Sequence, residues 1–116
     1  MLTKEHIPDL IRLSQENGFP YKLTEKTAEK YCNNATLTRP SIHTYGVYED
    51  DKLVSVVTAT NDFVFPCESE EFGRVCFISD AYTLPEYKEK GYDTALTKEI
   101  KTDAIEYFRI NHVKYK

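Results

Sequence analysis

Residues 78–96 read ISDAYTLPEYKEKGYDTAL. Their first part closes a nearly continuous apolar run, Val75 to Ile78, and predicts a strand over residues 74–83. Pro85 and Gly91 then mark a loop from Leu84 to Tyr92 that carries Lys88 and Lys90. From Asp93 the apolar residues take a helical period. Leu96, Ile100, Ala104 and Phe108 fall on one face, supported by Ala95, Ile105 and Tyr107. The helix should run for roughly 18 residues, about 27 Å. A strand, a glycine-bearing turn and a helix in that order leave the first helical N–H groups without partners, facing any anion in the turn.

Working outward, His112 to Tyr115 can begin one more strand. Strand, helix and strand in succession imply a parallel pair joined by a crossover. Upstream, Ile42 to Tyr48 and Leu53 to Thr60 alternate β-branched and aromatic residues around the polar turn Glu49-Asp50-Asp51-Lys52, which predicts a hairpin over residues 42–60. Residues 61–73, NDFVFPCESEEFG, read as a loop or an irregular strand extension. Nearer the start, Thr3 is a candidate N-cap for a helix with Ile7, Leu10, Ile11 and Leu13 inside, stopped by Gly18 and Phe19-Pro20. Thr24 can cap a second helix through about Asn33, with Ala28, Tyr31 and Cys32 on its inner side and Asn33-Asn34 ending it. The fold class is therefore α/β (α+β), a small mixed sheet with helices on both faces.

With 116 residues the chain fits a single domain, 1–116. Its 41% hydrophobic and 29% charged residues suit a soluble protein. No apolar run approaches the roughly 18 residues that span a bilayer, so no membrane association is expected. The start, Met-Leu-Thr-Lys-Glu-His, lacks a signal-peptide core, which makes the expected location cytoplasmic. A net charge of −4 argues against nucleic acid as a partner. The lysines at 88, 90, 98 and 101 are explained first by a solvated helix face. Cys32, Cys67 and Cys76 form no CxxC pair, and His6, His43 and His112 show no ligand spacing, so no metal is expected.

The run from Ile78 to Leu96 is similar to the acetyl-coenzyme A motif of the GNAT N-acetyltransferase superfamily. In that family a strand and a Pro-containing loop precede a turn of the form Arg/Gln-x-x-Gly-x-Gly/Ala and then a helix. The matching residues here are Lys88, Glu89, Lys90, Gly91, Tyr92 and Asp93. LTKEHIPDLIRLSQ resembles the family's first helix, and YGVYEDDKLVSVVTAT its second and third strands. The resemblance covers nearly the whole chain. It departs at both ends: only Met1-Leu2 stands where the first strand should be, and the last helix and two final strands have no counterpart before Lys116. In many members that last part supplies a tyrosine that protonates the coenzyme A thiolate, and no residue here matches it. The resemblance thus implies a GNAT-like fold trimmed at both ends, acting as an acetyl-CoA-dependent N-acetyltransferase on a small-molecule or peptide amine. The alternative is an inactive binding or regulatory module on the same fold.

The resemblance also implies a site. Acetyl-CoA would contact Ala81, Tyr82 and Thr83 of the strand and Lys88, Glu89, Lys90, Gly91, Tyr92, Asp93 and Thr94 of the turn and helix start. Gly91 fits the family's first small position, and Asp93 replaces the second. The Asp93 carboxylate could instead cap the helix. Two like charges about 5 Å apart at an effective dielectric near 20 repel by roughly 3 kcal/mol. A helix terminus favours an anion by only about 0.3–2 kcal/mol. Phosphate binding therefore needs Asp93 turned away, or compensation from Lys88 or Lys90. Amine attack on a thioester needs a base for the ammonium and a donor for the carbonyl oxygen. Asp80 is the candidate base. Backbone N–H groups near Ala81 and Tyr82 are the candidate donors, and the Tyr82 side chain is a second catalytic candidate. Tyr45, Tyr48 and Phe63 line a cleft or pack in the core. Trimming would expose sheet edges at 42–48 and 112–116, which predicts a homodimer.

Overall fold

The structure is a computed structural model and describes residues 1–20, 22–32, 41–63, 74–106, 110 and 113–115. A short 3-10 turn, Lys4–His6, leads into α1 (Ile7–Ser14), followed by α2 (Glu25–Tyr31). Thr24 caps α2, its Oγ1 accepting from the Thr27 N–H. Then come β1 (Ser41–Glu49), β2 (Lys52–Phe63) and β3 (Arg74–Thr83), a 3-10 segment over Pro85–Lys90, α3 (Tyr92–Glu106) and β4 (Val113–Tyr115). The sheet order is β1-β2-β3-β4. The first two pairings are antiparallel and β3 runs parallel to β4. This is the mixed sheet that the hairpin and the strand–helix–strand unit predict.

Some boundaries differ from expectation. β2 continues through Asn61 and Asp62, which pair with Cys76 and Val75 of β3. Cross-strand pairing there overrides the turn preference of an Asn-Asp pair. The loop at 84–92 is mostly 3-10 helix, and α3 starts one residue early, at Tyr92. Ala95 and Ile105 do not join the inner face: Ala95 is exposed and Ile105 is 53% exposed. Each stands one residue, about 100°, from the Leu96–Ile100–Ala104 stripe. The expectations for Asn33, Asn34, most of 61–73, Tyr107, Phe108 and His112 lie outside the described residues.

Two apolar cores form, one on each face of the sheet. Leu10, Leu13, Ala28 and Cys32 from α1 and α2 pack on Leu53, Val54 and Val56. On the opposite face Leu96, Ile100 and Ala104 of α3 pack on Tyr45, Val57, Ala59, Cys76 and Ile78. Adjacent residues Val56 and Val57 thus serve different cores, as strand alternation requires. Each fully buried Leu, Ile or Val contributes about 1.5–3 kcal/mol relative to exposure. Tyr45 and Tyr48, both candidates for lining a cleft, act as core residues with anchored hydroxyls. They donate to Asp103 Oδ2 and Asp9 Oδ2, each at 2.7 Å. The side chain of Phe63 lies outside what is described.

Close packing also fixes Gly46. A Cβ there would meet Leu53 Cδ1 at 2.7 Å and Leu2 Cδ2 at 3.1 Å. Leu2 is itself held on β1, its N–H donating to the Thr44 carbonyl at 2.7 Å.

One irregularity positions the site. Val56 pairs with Tyr82 but Thr58 pairs with Ser79, so β3 carries one residue more than β2 across that step. The insertion is a β-bulge around Asp80, whose φ is 53°. It flips the pleat: Ile78 packs on the α3 core, while Tyr82, four residues on, packs on the α1–α2 core.

Candidate functional site

β3 and β4 pair only from Cys76–Val113 to Ile78–Tyr115. Beyond Ile78, β3 continues to Thr83 with no strand on that side among the described residues. A cleft of about 630 Å³ opens there. Its β3 wall is Ile78, Ser79, Asp80 and Ala81, and its α3 wall is Asp93, Thr94, Thr97, Lys98 and Lys101, with Tyr115 at one side. A second cleft of about 260 Å³ adjoins it, lined by Ala81, Tyr82, Thr83, Lys88 and Asp93. Ala81 and Asp93 belong to both.

Gly91 makes the turn into α3 with φ of 70°. The left-handed backbone favours glycine, and nothing lies within 4 Å of where a Cβ would stand. Space beside the turn is therefore open. The first helical hydrogen bond runs from the Ala95 N–H to the Gly91 carbonyl, at 3.1 Å. The N–H groups of Tyr92, Asp93 and Thr94 thus have no carbonyl of α3 to bond, and the helix dipole adds partial positive charge there. Because α3 starts at Tyr92, Asp93 lies inside the first turn and is exposed. Gly91 takes the capping place, so the alternative in which Asp93 caps the helix does not apply.

The charge in the clefts differs from the charge along the loop. Glu86 and Glu89 of the loop line neither cleft. The ionic side chains that do are Lys88, Lys98 and Lys101 against Asp80 and Asp93. Three lysines and two aspartates leave an excess of one positive charge. A turn of free N–H groups, a small residue at its apex and a lysine on each side together fit a di-anionic phosphate group.

The candidate residues separate as follows. Ala81, Tyr82, Thr83, Lys88, Asp93 and Thr94 line the clefts, while Glu89, Gly91 and Tyr92 do not. Lys90 is turned away, its Nζ donating to Glu49 Oε1 at 3.0 Å and Oε2 at 3.1 Å. That bond raises the Lys90 pKa and lowers that of Glu49. Tyr92 packs against the α1–α2 core, and burial, then the nearby Glu49, raise its pKa. Asp80 and Tyr82 line different clefts and are not brought together. Asp80 is exposed and accepts a long 3.4 Å bond from Ser79 Oγ. The Tyr82 hydroxyl donates to the Asn17 carbonyl at 3.3 Å, and its ring meets Phe19 edge-on with centroids 5.0 Å apart. Burial, then the nearby Glu16, raise its pKa.

Thr97, Lys98, Lys101 and Tyr115 were not singled out from sequence as site residues. Lys101 Nζ sits 5.2 Å from the Tyr115 ring centroid, a cation–π contact at the cleft wall. The available signal was the spacing of Thr94, Thr97, Lys98 and Lys101, which puts them on one helix face running away from the turn. The buried thiols of Cys32 and Cys76 are pushed up to about 11 by desolvation, so neither is a ready nucleophile. No cluster of three metal-ligating side chains occurs among the described residues.

Comparison with known proteins agrees with this geometry. The solved structures similar to the chain include a predicted acetyltransferase with acetyl-CoA from Clostridium acetobutylicum. It is 18% identical with a TM-score of 0.72, over 97% of this chain and 75% of that one. An aminoglycoside 6'-N-acetyltransferase from Acinetobacter baumannii is 14% identical with a TM-score of 0.74, over 99% of this chain and 75% of that one. A ribosomal-protein-alanine N-acetyltransferase from Brucella melitensis is 17% identical with a TM-score of 0.72, over 99% of this chain and 76% of that one. No curated protein matches the sequence. Identities this low speak to the fold alone, whereas the Acetyltransferase (GNAT) family matches the sequence itself over residues 7–115. With its mixed sheet, bulged third strand and glycine turn at a helix start, the chain belongs to the GNAT acetyltransferase family.

Proposed function

We propose that the chain is an acetyl-CoA-dependent N-acetyltransferase acting on a small-molecule or peptide amine. One observation carries the reading: the unpaired edge of β3 and the start of α3 line adjoining clefts that share Ala81 and Asp93, with Lys88 beside them. Bound acetyl-CoA would supply an acetyl thioester open to attack by an amine. In this reading the N–H groups of Tyr92, Asp93 and Thr94, with Lys88, hold the pyrophosphate. The β3 edge at Ala81, Tyr82 and Thr83 offers backbone groups to the extended part of the cofactor. A backbone N–H at Ala81 or Tyr82 donates to the acetyl carbonyl oxygen. Asp80, on the cleft wall and exposed, accepts the proton of the acceptor ammonium, directly or through water. Tyr82 works mainly by packing, its hydroxyl being tied to Asn17.

Asp93 favours a second reading, a GNAT-like module that binds without turnover, because it places a carboxylate where the phosphate would lie. An assay of free thiol released from acetyl-CoA across a panel of polyamines, aminoglycosides and peptide N-termini separates the two. Amine-dependent thiol release is expected. Binding of acetyl-CoA without release would select the module, and no binding at all would defeat both readings.

Location and assembly belong to the same proposal. The free buried thiols Cys32 and Cys76 suit a reducing cytoplasm. Beyond the Leu2–Thr44 bond, the outer edge of β1 has no strand neighbour among the described residues, which suits a homodimer joined edge to edge. Light scattering over a hundredfold dilution tests it. A mass that stays near 13.5 kDa at every concentration would sink it.

A further inference from the structure

The turn at Gly91 is anchored on the α1–α2 core by Tyr87 and Tyr92, but the residues between them have little packing of their own. Lys88, Glu89 and Lys90 are exposed, no residue of the 3-10 segment is buried, and the Gly91 apex borders open space. Yet its conformation decides where the N–H groups of Tyr92, Asp93 and Thr94 point. Two residues flank the apex, Lys90 and Tyr92, and Lys90 reaches the Glu49 carboxylate. Lys90 binds both oxygens of Glu49, at 3.0 and 3.1 Å, across 41 residues of sequence. On the other side of the apex Tyr92 packs against the α1–α2 core. Glu49 is the last residue of β1 and pairs with Lys52 across the hairpin turn, so it stands on the rigid end of the sheet.

We infer that Glu49 is a positioning residue for the cofactor turn: through Lys90, beside Gly91, it fixes the turn in the conformation that presents the α3 N-terminus to an anion. The inference rests on the reading that this turn receives the pyrophosphate. It also assigns Lys90 a role different from the one its place in the loop suggests. Lys90 is engaged as a strut, and Lys88 is the loop's lysine at the cleft. A tether of this kind lowers the cost of ordering the turn on binding. Because the pair is exposed, the effect is modest and falls with salt.

Two readouts test it, one needing no ligand. Amide hydrogen exchange over residues 88–94 of the free protein should quicken about three- to fivefold in Glu49→Gln, with the remaining protected amides unchanged. Calorimetry with coenzyme A should show about three- to fivefold weaker binding in the same variant. Glu49→Lys and Lys90→Glu should each weaken binding further, and the double exchange Glu49→Lys with Lys90→Glu should restore affinity to within about twofold. A Lys90 that touched phosphate itself would give the opposite pattern. Glu49→Gln would then bind coenzyme A more tightly, and the double exchange would bind worst. Either result overturns the inference, as does unchanged exchange in Glu49→Gln. If the wild type binds no coenzyme A, the proposed function fails, and exchange at 88–94 alone decides whether Glu49 holds the turn.

Discussion

Two tight turns meet where Glu49 binds Lys90, and they use left-handed backbone for different ends. Asp50 and Asp51 close the β1–β2 hairpin with φ of 50° and 61°. Gly91 enters α3 with φ of 70°. The hairpin turn matches the twist of its strands, and aspartate tolerates that backbone at some cost. Its purpose is fulfilled by the register it sets between β1 and β2. The second turn sets no register. It uses glycine with open space where a Cβ would stand, so its backbone remains reachable from that side. One turn is satisfied by its own chain, and the other leaves its donors for a ligand.

The sharpest way to break this contrast is Gly91→Glu. A side chain with a carboxylate at the apex should reduce acetyl-CoA affinity at least about a hundredfold, since it adds both bulk and like charge. Gly91→Asn tolerates the same φ and should keep the fold while losing only part of the affinity. Binding by Gly91→Glu at wild-type strength would mean that the turn is not the site. In the hairpin the comparable glycine is Gly46, whose freedom is used for packing. Gly46→Ala should destabilise by about 1–3 kcal/mol, read by chemical denaturation, because Leu53 and Leu2 must shift. Acetyl-CoA affinity of the folded fraction should not change.

Asp93→Gly is a finer probe. It removes a carboxylate from both clefts and should tighten acetyl-CoA about three- to tenfold, less than the bare Coulomb repulsion because Asp93 is exposed. Calorimetry gives the number, and unchanged affinity would show that Asp93 turns away from the ligand. The smallest effect belongs to the hairpin. Asp51→Gly relieves left-handed backbone and should stabilise by about 0.5–1 kcal/mol, seen as a rise of a few degrees in Tm, with no change in binding.

Several of these features were legible before the structure. The Glu49-Asp50-Asp51-Lys52 turn stands between two alternating runs, and period two leaves little else for them to form. Leu96, Ile100 and Ala104 are spaced four apart and carry the α3 core as their spacing implies. The bulge at Asp80 was not legible. Ile78 and Tyr82 are four apart, so simple alternation puts them on one face, and no residue between them announces an insertion. Aspartate with positive φ is the only local trace, and it is visible only in the backbone. Lys98 and Lys101 are exposed, as a solvated helix face implies, but their place on a cleft wall was not legible. Their spacing is the same whether a helix faces solvent or a cleft, and the difference lies in β4, which pairs with β3 only as far as Ile78. Lys90 is the converse case. Its place in the loop suggested a phosphate, while its partner Glu49 sits on a distant strand that local spacing does not reveal.

The central claim is that the start of α3 and the free edge of β3 form one binding surface. Nuclear magnetic resonance of the labelled wild-type protein, titrated with acetyl-CoA, tests it most directly. The account predicts that the amides of Tyr92, Asp93 and Thr94 shift together with those of Ala81, Tyr82 and Thr83, along one binding curve. Saturable binding that leaves both groups unmoved, or moves only one of them, would contradict it.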